Sequence, residues 1–397
     1  MKQNVFVIGG NHHNILGVIR SLGERGIKPY VIIQSEEESP YVRLSKYIQH
    51  YWIVKKDNEV LNLLRQEGMK LNKRAVLIIC ADGMSSLVDI HYDELKQWFF
   101  LPGSIVQGRI TELMDKEVMS KVARETGLHV PQSSAEKTRE KHAVSIPMPW
   151  IVKPLMSKNG SKSDIECIFN EEEWQNYCSR HDSLVQVQQL IEKDYEYQLI
   201  GLSLNGGNEV VIPGYSFVIR SSTTTNTGFL HYMPLDDSLC DVVAKGREFI
   251  RKTGYSGLFS LEFLKGKDGE DYFMEINFRN DGNAICVTAA GVNLPYIWYL
   301  YNVGGDYHKE IDESSVHSVY VMPEFADISL LWHRKLNLFV WLKDIYRTDR
   351  FMEYDQYDKA PFWQLFNASI KKGTGRIITN VMALLGIKSK KSLQKTI

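Results

Sequence analysis

The sequence predicts an α/β domain with a parallel sheet, followed by an α+β region and a helical C-terminal extension. Three observations support this. Short apolar strands alternate with helix-like segments near the N-terminus, strands follow one another less regularly in the middle, and the last stretch is rich in aromatic and basic residues. The 397 residues suffice for roughly two to three domains. We place them at 1–107, 108–305 and 306–397.

Composition excludes several classes of protein. Hydrophobic residues make up 44% and charged residues 24%, which is ordinary for a globular protein and excludes a disordered chain. The formal net charge is −1, so a nucleic-acid-binding protein is not expected. Five scattered cysteines without a C-x-x-C pair argue against a disulfide framework or a zinc site. With neither a membrane-length apolar stretch nor a signal-peptide pattern, we expect a cytoplasmic protein.

The first domain begins with a strand over 4–8, and a glycine-containing turn follows it at 9–14 (GGNHHN). The turn lacks the G-x-G-x-x-G pattern, and Gln34 rather than an acidic residue follows the second strand, which disfavours a nicotinamide site. His12 and His13 are candidates for contact with a substrate, and a solvent-exposed turn is the alternative. Asp82, after a later strand, has the same two interpretations.

In the middle region, residues 111–127 predict one helix that is capped by Thr111 and ends at Gly127. A strand over 150–154 carries Lys153 near its end. Apolar and alternating patterns predict further strands, which we place at 184–191, 197–204, 210–213, 258–263 and 272–276.

The most informative segment is 257–282, in which two predicted strands are joined by a turn. Glu262 lies on the first strand, and Glu275, Asn277 and Arg279 alternate along the second, so these three point to one face. In a hairpin, Glu262 can lie opposite Glu275. Carboxylate and amide oxygens suit Mg²⁺, and a guanidinium can bind phosphate oxygens in a bidentate way. The alternative is the polar side of an edge hairpin.

This E…E-x-N-x-R pattern resembles the ATP-grasp superfamily, and the resemblance covers roughly residues 1–305. It implies that Glu262, Glu275 and Asn277 are magnesium ligands, with Mn²⁺ as a second option, and that Arg279 contacts the triphosphate or the transition state. It also implies two cationic residues on the ATP phosphates, at Lys116 and Lys153.

Other segments resemble the nucleotide-binding parts of the same family. Residues 185–196 resemble its hinge, where backbone groups around Gln189 and Ile191 would read adenine and Glu196 would hold the ribose. The loop that covers the phosphates corresponds to 157–163, including Gly160 and Ser161. Arg220, which we assign to a polar loop, resembles the arginine that binds a substrate carboxylate or acyl phosphate.

The resemblance implies a ligase that uses ATP to convert a carboxylate into an acyl phosphate, which an amine then attacks. Within the superfamily, the pattern is similar to carbamoyl-phosphate-synthase-like enzymes, which include D-aspartate ligases and cell-surface-polymer amino-acid ligases. The partners implied are small-molecule carboxylates and amines. The alternatives are a non-catalytic ATP-binding interaction module and an ATP-grasp phosphotransferase, and a homodimer is left open.

The C-terminal extension carries a second possible function. Residues 328–346 are amphipathic and rich in large aromatics, and 367–397 contain seven Lys or Arg and no Asp or Glu. One interpretation is a helix on an anionic membrane at the inner face, near a lipid-linked glycan precursor. The other is a helix packed on the core.

Overall fold

The N-terminal region folds into a parallel sheet with helices on both faces. The computed structural model describes residues 3–139, 144–154, 165–221 and 228–371. The five strands of this sheet are β1 (Val5–Gly10), β2 (Tyr30–Gln34), β3 (His50–Val54), β4 (Ala75–Ile79) and β5 (Phe99–Phe100). Their order is β3-β2-β1-β4-β5, and each neighbouring pair is parallel. The helices are α1 (His13–Glu24), α2 (Asp57–Gly68), α3 (Asp82–Ile90), α4 (Tyr92–Leu95) and α5 (Arg109–Leu113).

The apolar strands of this sheet explain why it is buried on both sides. Val5 and Val7 pack into one hydrophobic cluster with α1, whereas Phe6 and Ile8 pack into another with α2 and α3. Strand side chains alternate between faces, so a continuous apolar run needs a cover on each face. Because β1 and β4 are parallel, their carboxyl ends meet at one edge of the sheet, where the segment 9–14 and Asp82 lie.

A four-stranded sheet forms the next layer of the described chain. Its order is β6-β9-β7-β8, and its strand pairs are antiparallel. The strands are β6 (Ser133–Lys137), β7 (Trp150–Pro154), β8 (Glu166–Ile168) and β9 (Leu184–Gln189), and helix α7 (Glu171–Arg180) packs on them. Helix α6 (Lys116–Glu125) precedes these strands in the chain and packs against the eight-stranded sheet instead. Trp150 and Val152 of β7 pack with Val185 and Val187 of β9 in a small core of this lobe.

An eight-stranded sheet forms the third part of the described fold. Its strands are β10 (Lys193–Leu204), β11 (Glu209–Val211), β12 (Gly214–Ser221), β13 (Gly228–Pro234), β14 (Gly257–Gly266), β15 (Asp271–Asn277), β16 (Val319–Met322) and β17 (Arg350–Phe351). Their order is β15-β14-β10-β12-β13-β16-β17, and β11 pairs with β10. The helices are α8 (Cys240–Thr253), α9 (Ile285–Ala289), α10 (Leu294–Val303), α11 (Glu324–Trp332) and α12 (Leu338–Arg347). Residues 360–371 are also helical.

The single helix predicted over 111–127 is wrong, because the chain breaks there into α5 and α6. Asp115 is the N-cap of α6, and its Oδ1 accepts hydrogen bonds from the backbone N–H groups of Glu117 at 2.9 Å and Val118 at 3.1 Å. An aspartate at this position satisfies N–H groups that have no helical partner, so it starts a new helix. Thr111 lies inside α5 and is not a cap.

The C-terminal extension contains strands as well as the predicted helices. β16 pairs with β13 and extends the eight-stranded sheet, and β17 pairs with β16. The amphipathic segment 328–346 is not one helix, because it breaks between α11 and α12. Asn337 caps α12 by accepting the backbone N–H of Phe339 at 2.8 Å. In the described part of the chain, no helix has the length and apolar character needed to cross a membrane.

Candidate active site

A cavity of about 580 Å³ lies between the four-stranded sheet and the eight-stranded sheet. Among the described residues, five charged side chains line it: Lys116, Lys153, Glu196, Glu262 and Glu275. All five are residues that the sequence singled out. The structure therefore brings together Lys153 from the four-stranded sheet, Lys116 from the start of α6 and three carboxylates from the eight-stranded sheet. These residues are up to 159 positions apart in the chain.

Strand alternation explains how one lobe presents polar groups to this cavity. Gln186 and Gln188 of β9 line the cavity, whereas the valines between them pack in the core behind. In β7, Ile151 and Lys153 face the cavity in the same way. The polar face of each strand thus forms one wall, because successive side chains point to opposite faces.

Lys153 is one of the two cations in the described part of the chain that line the cavity. Its Nζ donates a hydrogen bond to Oε1 of Gln188 at 2.8 Å. Burial and the charge of Lys116 lower the pKa of Lys153 to about 8, while the carboxylate of Glu275 acts in the opposite direction. An anion would stabilise the charged form of Lys153, whose charge is opposed by burial and by the neighbouring cation.

The acidic wall is the β14–β15 hairpin, which has the predicted register. Glu262 pairs with Glu275 across the two strands, and Ser260 pairs with Asn277. A bulge between Glu262 and Phe263 interrupts the ladder at this point. Because paired residues of an antiparallel ladder share a face, both carboxylates point into the cavity.

Amide groups hold the carboxylate of Glu262 in place. Its Oε1 accepts hydrogen bonds from Nδ2 of Asn277 at 3.0 Å and from Nε2 of Gln198 at 3.1 Å. Oδ1 of Asn277 accepts from Nη2 of Arg279 at 2.9 Å. Two carboxylates and an amide oxygen on one sheet face are the hard oxygen donors that Mg²⁺ prefers, so these residues fit the predicted metal.

Arg279 joins this hairpin to the edge of the N-terminal sheet. Its Nε and Nη2 bind the carboxylate of Asp82 at 2.9 and 3.0 Å, and its Nη1 lies 3.4 Å from Oδ2 of Asp281. Burial opposes the charge of this guanidinium, but Asp82 and Asp281 more than offset it and raise the pKa of Arg279. The arginine is therefore fixed and charged at the junction of two domains.

The turn predicted at 9–14 is shorter in the structure, because β1 ends at Gly10 and α1 begins at His13. This segment lies at the same junction. His12 is exposed, and Nδ2 of Asn14 donates to the carbonyl of Asn280 at 2.9 Å, between Arg279 and Asp281 in the chain. His13 is buried, and its Nδ1 lies 3.3 Å from Oε1 of Glu353. Burial lowers the pKa of His13 to about 4, so this imidazole is neutral at physiological pH.

The hinge residues lie where the two lobes connect. Gln189 ends β9, and its backbone N–H donates to the carbonyl of Gln132 at 2.8 Å. Ile191 follows in the connection to β10, and neither residue is among those that line the cavity. Glu196 lines the cavity and accepts a hydrogen bond from Lys193 at 2.6 Å. The adenine and ribose roles of these residues stay predictions.

Arg220 lies in a strand and not in the loop to which the sequence assigned it. It occupies β12, which continues to Ser221, and its guanidinium forms ion pairs with Asp327 of α11 and Asp344 of α12. Its Nη1 is 2.8 Å from Oδ2 of Asp344. Its predicted contact with a substrate stays a prediction. Gly160 and Ser161 lie outside the described residues.

Some polar residues of the site were not identified from the sequence. Gln198 bridges two parts of it, because its Nε2 donates to Glu262 and its Oε1 accepts from Asn283 at 2.8 Å. Asp281 accepts from Ser260 at 3.0 Å and contacts Arg279. The signal for Asp281 was its position two residues after Arg279. No sequence signal pointed to Gln198, because it lies on β10, 64 positions before the Glu262 carboxylate that it contacts.

No protein-family model and no curated protein matches this sequence. The structure is similar to that of an L-amino acid ligase from Bacillus licheniformis, with a TM-score of 0.62 and 14% identity over 81% of this chain and 79% of that chain. It is also similar to the biotin carboxylase domain of the 2-oxoglutarate carboxylase of Hydrogenobacter thermophilus, in complex with MgADP, ADP and bicarbonate. There the TM-score is 0.61 and the identity 16%, over 81% of this chain and 74% of that chain.

A third similar structure is the N5-carboxyaminoimidazole synthetase of Staphylococcus aureus. Its TM-score is 0.53 and its identity 17%, over 70% of this chain and 72% of that chain. At such identities the likeness concerns the fold. The chain therefore has the ATP-grasp fold, as its sequence predicted.

Proposed function

We propose that this protein is an ATP- and Mg²⁺-dependent ligase that activates a carboxylate as an acyl phosphate for attack by an amine. The observation that carries the proposal is the cavity in which Lys116 and Lys153 face Glu262 and Glu275. The two lysines suit phosphate oxygens, and the two carboxylates would hold a metal ion that neutralises phosphate charge. The fold that this chain shares with the L-amino acid ligase supports the same proposal.

In this proposal the protein acts by positioning and electrostatics. Lys153 and Lys116 neutralise phosphate charge as point charges, and the buried wall behind them excludes water. Glu262, Glu275 and Asn277 would hold Mg²⁺, which supplies charge neutralisation on the phosphates when it is bound. Mn²⁺ prefers similar oxygen donors and is a second option. No nucleophilic side chain is needed.

The family resemblance gives the substrates their proposed places. Glu196, which lines the cavity, and the backbone around Gln189 and Ile191 would bind the nucleoside. Arg279 would stabilise the transferring phosphoryl group, since its guanidinium is fixed by Asp82 next to Asn277. Arg220 would contact the carboxylate substrate. We propose small-molecule carboxylate and amine substrates, amino acids among them, for an enzyme that works in the cytoplasm.

The test is a thermal-shift titration with ATP alone, Mg²⁺ alone and both, on the wild type and on Glu275→Gln. A ligand at one hundred times its dissociation constant stabilises a protein by about 2.7 kcal/mol. We expect a shift that needs both ATP and Mg²⁺ in the wild type. Glu275→Gln should lose most of it, because the amide removes one negative charge from the metal site.

The matched control is Glu270→Gln, which changes an exposed carboxylate in the turn of the same hairpin. It should keep the full shift. ADP release is then measured with carboxylate and amine panels, and turnover should need both substrates. ATP binding without turnover in any panel would instead support a non-catalytic module, and a phosphorylated product without an amide would indicate a phosphotransferase.

A further inference from the structure

Helix α12 points charged side chains toward the protein. Asp344 binds Nη1 of Arg220 at 2.8 Å and is buried. The guanidinium of Arg347 lies 4.2 Å from the ring centroid of Tyr320 and 5.2 Å from that of Phe229. These contacts fix the rotation of the helix on β13 and β16, because they engage its inner face at two positions.

The outward face of α12 is apolar. Phe339 is 79% exposed and Tyr346 93% exposed, and Leu342 lies between them with 48% exposure. With Lys343, these residues follow the i, i+3, i+4, i+7 spacing that defines one helix face. A helix on the surface of a protein in water normally has the reverse arrangement. The inverted polarity indicates that a non-aqueous environment covers this face.

The apolar face continues into the preceding turn. Trp332 at the end of α11 and Leu338 at the start of α12 are exposed, and together with α12 they form what we name the C-terminal patch, residues 332–346. Arg334 and Lys335 are exposed beside it. Within residues 332–346 the only acidic residue is Asp344, which is buried against Arg220. The exposed charges of the patch itself, on Arg334, Lys335 and Lys343, are therefore positive.

We infer that the C-terminal patch docks on an anionic lipid bilayer surface. Large apolar side chains enter the boundary between headgroups and acyl chains, while neighbouring cations contact anionic headgroups. Charge favours a lipid surface over two other binding partners for the patch. A second copy of the chain would present the same positive patch and would be repelled. Residues 372–397 of this chain carry Lys and Arg but no acid, so the patch would repel them as well.

The experiment is co-sedimentation of the full chain with phosphatidylcholine vesicles that contain or lack phosphatidylglycerol. We expect binding to the anionic vesicles, weakening as salt rises. Phe339→Glu should weaken it about ten-fold or more, since burial of one Phe side chain is lost. Lys343→Glu should weaken it about five-fold or more. Both side chains are exposed, so both variants should keep the thermal stability of the wild type.

The matched control is Phe169→Glu, which changes another exposed phenylalanine, on the four-stranded lobe, and should bind as the wild type does. If Phe339→Glu folds poorly, Tyr346→Glu tests the same face. Three results would overturn the inference: no vesicle binding, vesicle binding that Phe339→Glu leaves unchanged, or a dimer in solution that Phe339→Glu dissociates without any vesicle binding. Vesicle binding is measured without ATP, so this outcome is independent of the proposed ligase activity.

Discussion

Lys153 illustrates how surroundings change the chemistry of one residue. A solvent-exposed lysine is charged up to pH values near 10. In this cavity, burial and the neighbouring charge of Lys116 lower its pKa to about 8. The ammonium is therefore poised to gain from an anionic ligand, because phosphate oxygens favour the charged form.

We expect the affinity for ATP to fall as the pH rises above 8. Below that pH the free protein already carries the charge on Lys153, so binding needs no proton. Above it the lysine is neutral, and ATP binding must take up a proton. Affinity should then drop by up to about ten-fold per pH unit. Calorimetric titrations at several pH values, in buffers of different ionisation enthalpy, measure both the affinity and the proton uptake.

Lys153→Arg is the control for this pH dependence. A guanidinium keeps its charge at any pH in this range, so the variant should bind ATP with the same affinity on both sides of pH 8. If the variant and the wild type lose affinity in parallel, a different group titrates and Lys153 does not determine the dependence.

At the scale of elements, Arg220 connects strand β12 with helices α11 and α12. Asp327 and Asp344 bind its guanidinium from one helix each, and both carboxylates are buried. Burial opposes its charge, but these two partners raise the pKa of Arg220. A single arginine thus positions the helix that carries the C-terminal patch.

Two substitutions separate this positioning role from the proposed substrate contact. Arg220→Lys should destabilise the protein by about 2 kcal/mol, because one ammonium cannot bind two carboxylates in the geometry of a guanidinium. It should also lower turnover.

Asp344→Asn should lower the free energy of unfolding by about 1 kcal/mol and leave turnover close to that of the wild type, since Asp327 still holds the arginine. Chemical denaturation and ADP-release rates measure the two effects. Equal losses of turnover in both variants would restrict Arg220 to positioning.

At the scale of the whole molecule, the C-terminal extension is tied to the N-terminal sheet. Arg20 of α1 and Asp358 form an ion pair at 3.1 Å in which each side chain is 1% exposed. Arg20 also donates to the carbonyls of Met352 and Glu353, at 3.1 and 2.9 Å. A buried contact between residues 338 positions apart thus joins the C-terminal extension to α1.

We expect Arg20→Met to destabilise the protein by about 3 kcal/mol or more, because it leaves the buried carboxylate of Asp358 without its cation. Arg25→Met is the matched control at the end of the same helix. Arg25 pairs with Glu310 at a partly exposed site, so its loss should cost less than about 1 kcal/mol. Urea denaturation measures both. Equal small effects would show that the extension does not depend on this contact.

The sequence predicted the β14–β15 hairpin, since two apolar strand patterns are separated there by a short turn that contains Gly266 and Gly269. Local patterning also placed Lys153 on β7 and the parallel strands of the first domain. Local patterning failed at 111–127 and 328–346. In each segment one continuous amphipathic pattern covers two helices, and a capping residue separates them. Asp115 and Asn337 decide those breaks through side-chain hydrogen bonds to backbone N–H groups. Hydrophobic periodicity contains no information about such hydrogen bonds.

By itself, the sequence determined the parallel sheet of the N-terminal region and the pairing of Glu262 with Glu275, because alternation along a strand sets which side chains share a face. The two cations were expected only from the resemblance to the ATP-grasp superfamily. Only the tertiary structure decided which faces meet. The packing of the two sheets put all five charged residues into one cavity. The contacts of Arg220 set the rotation of α12 and turned its apolar face outward. Such contacts join residues distant in the chain, and no local pattern encodes them.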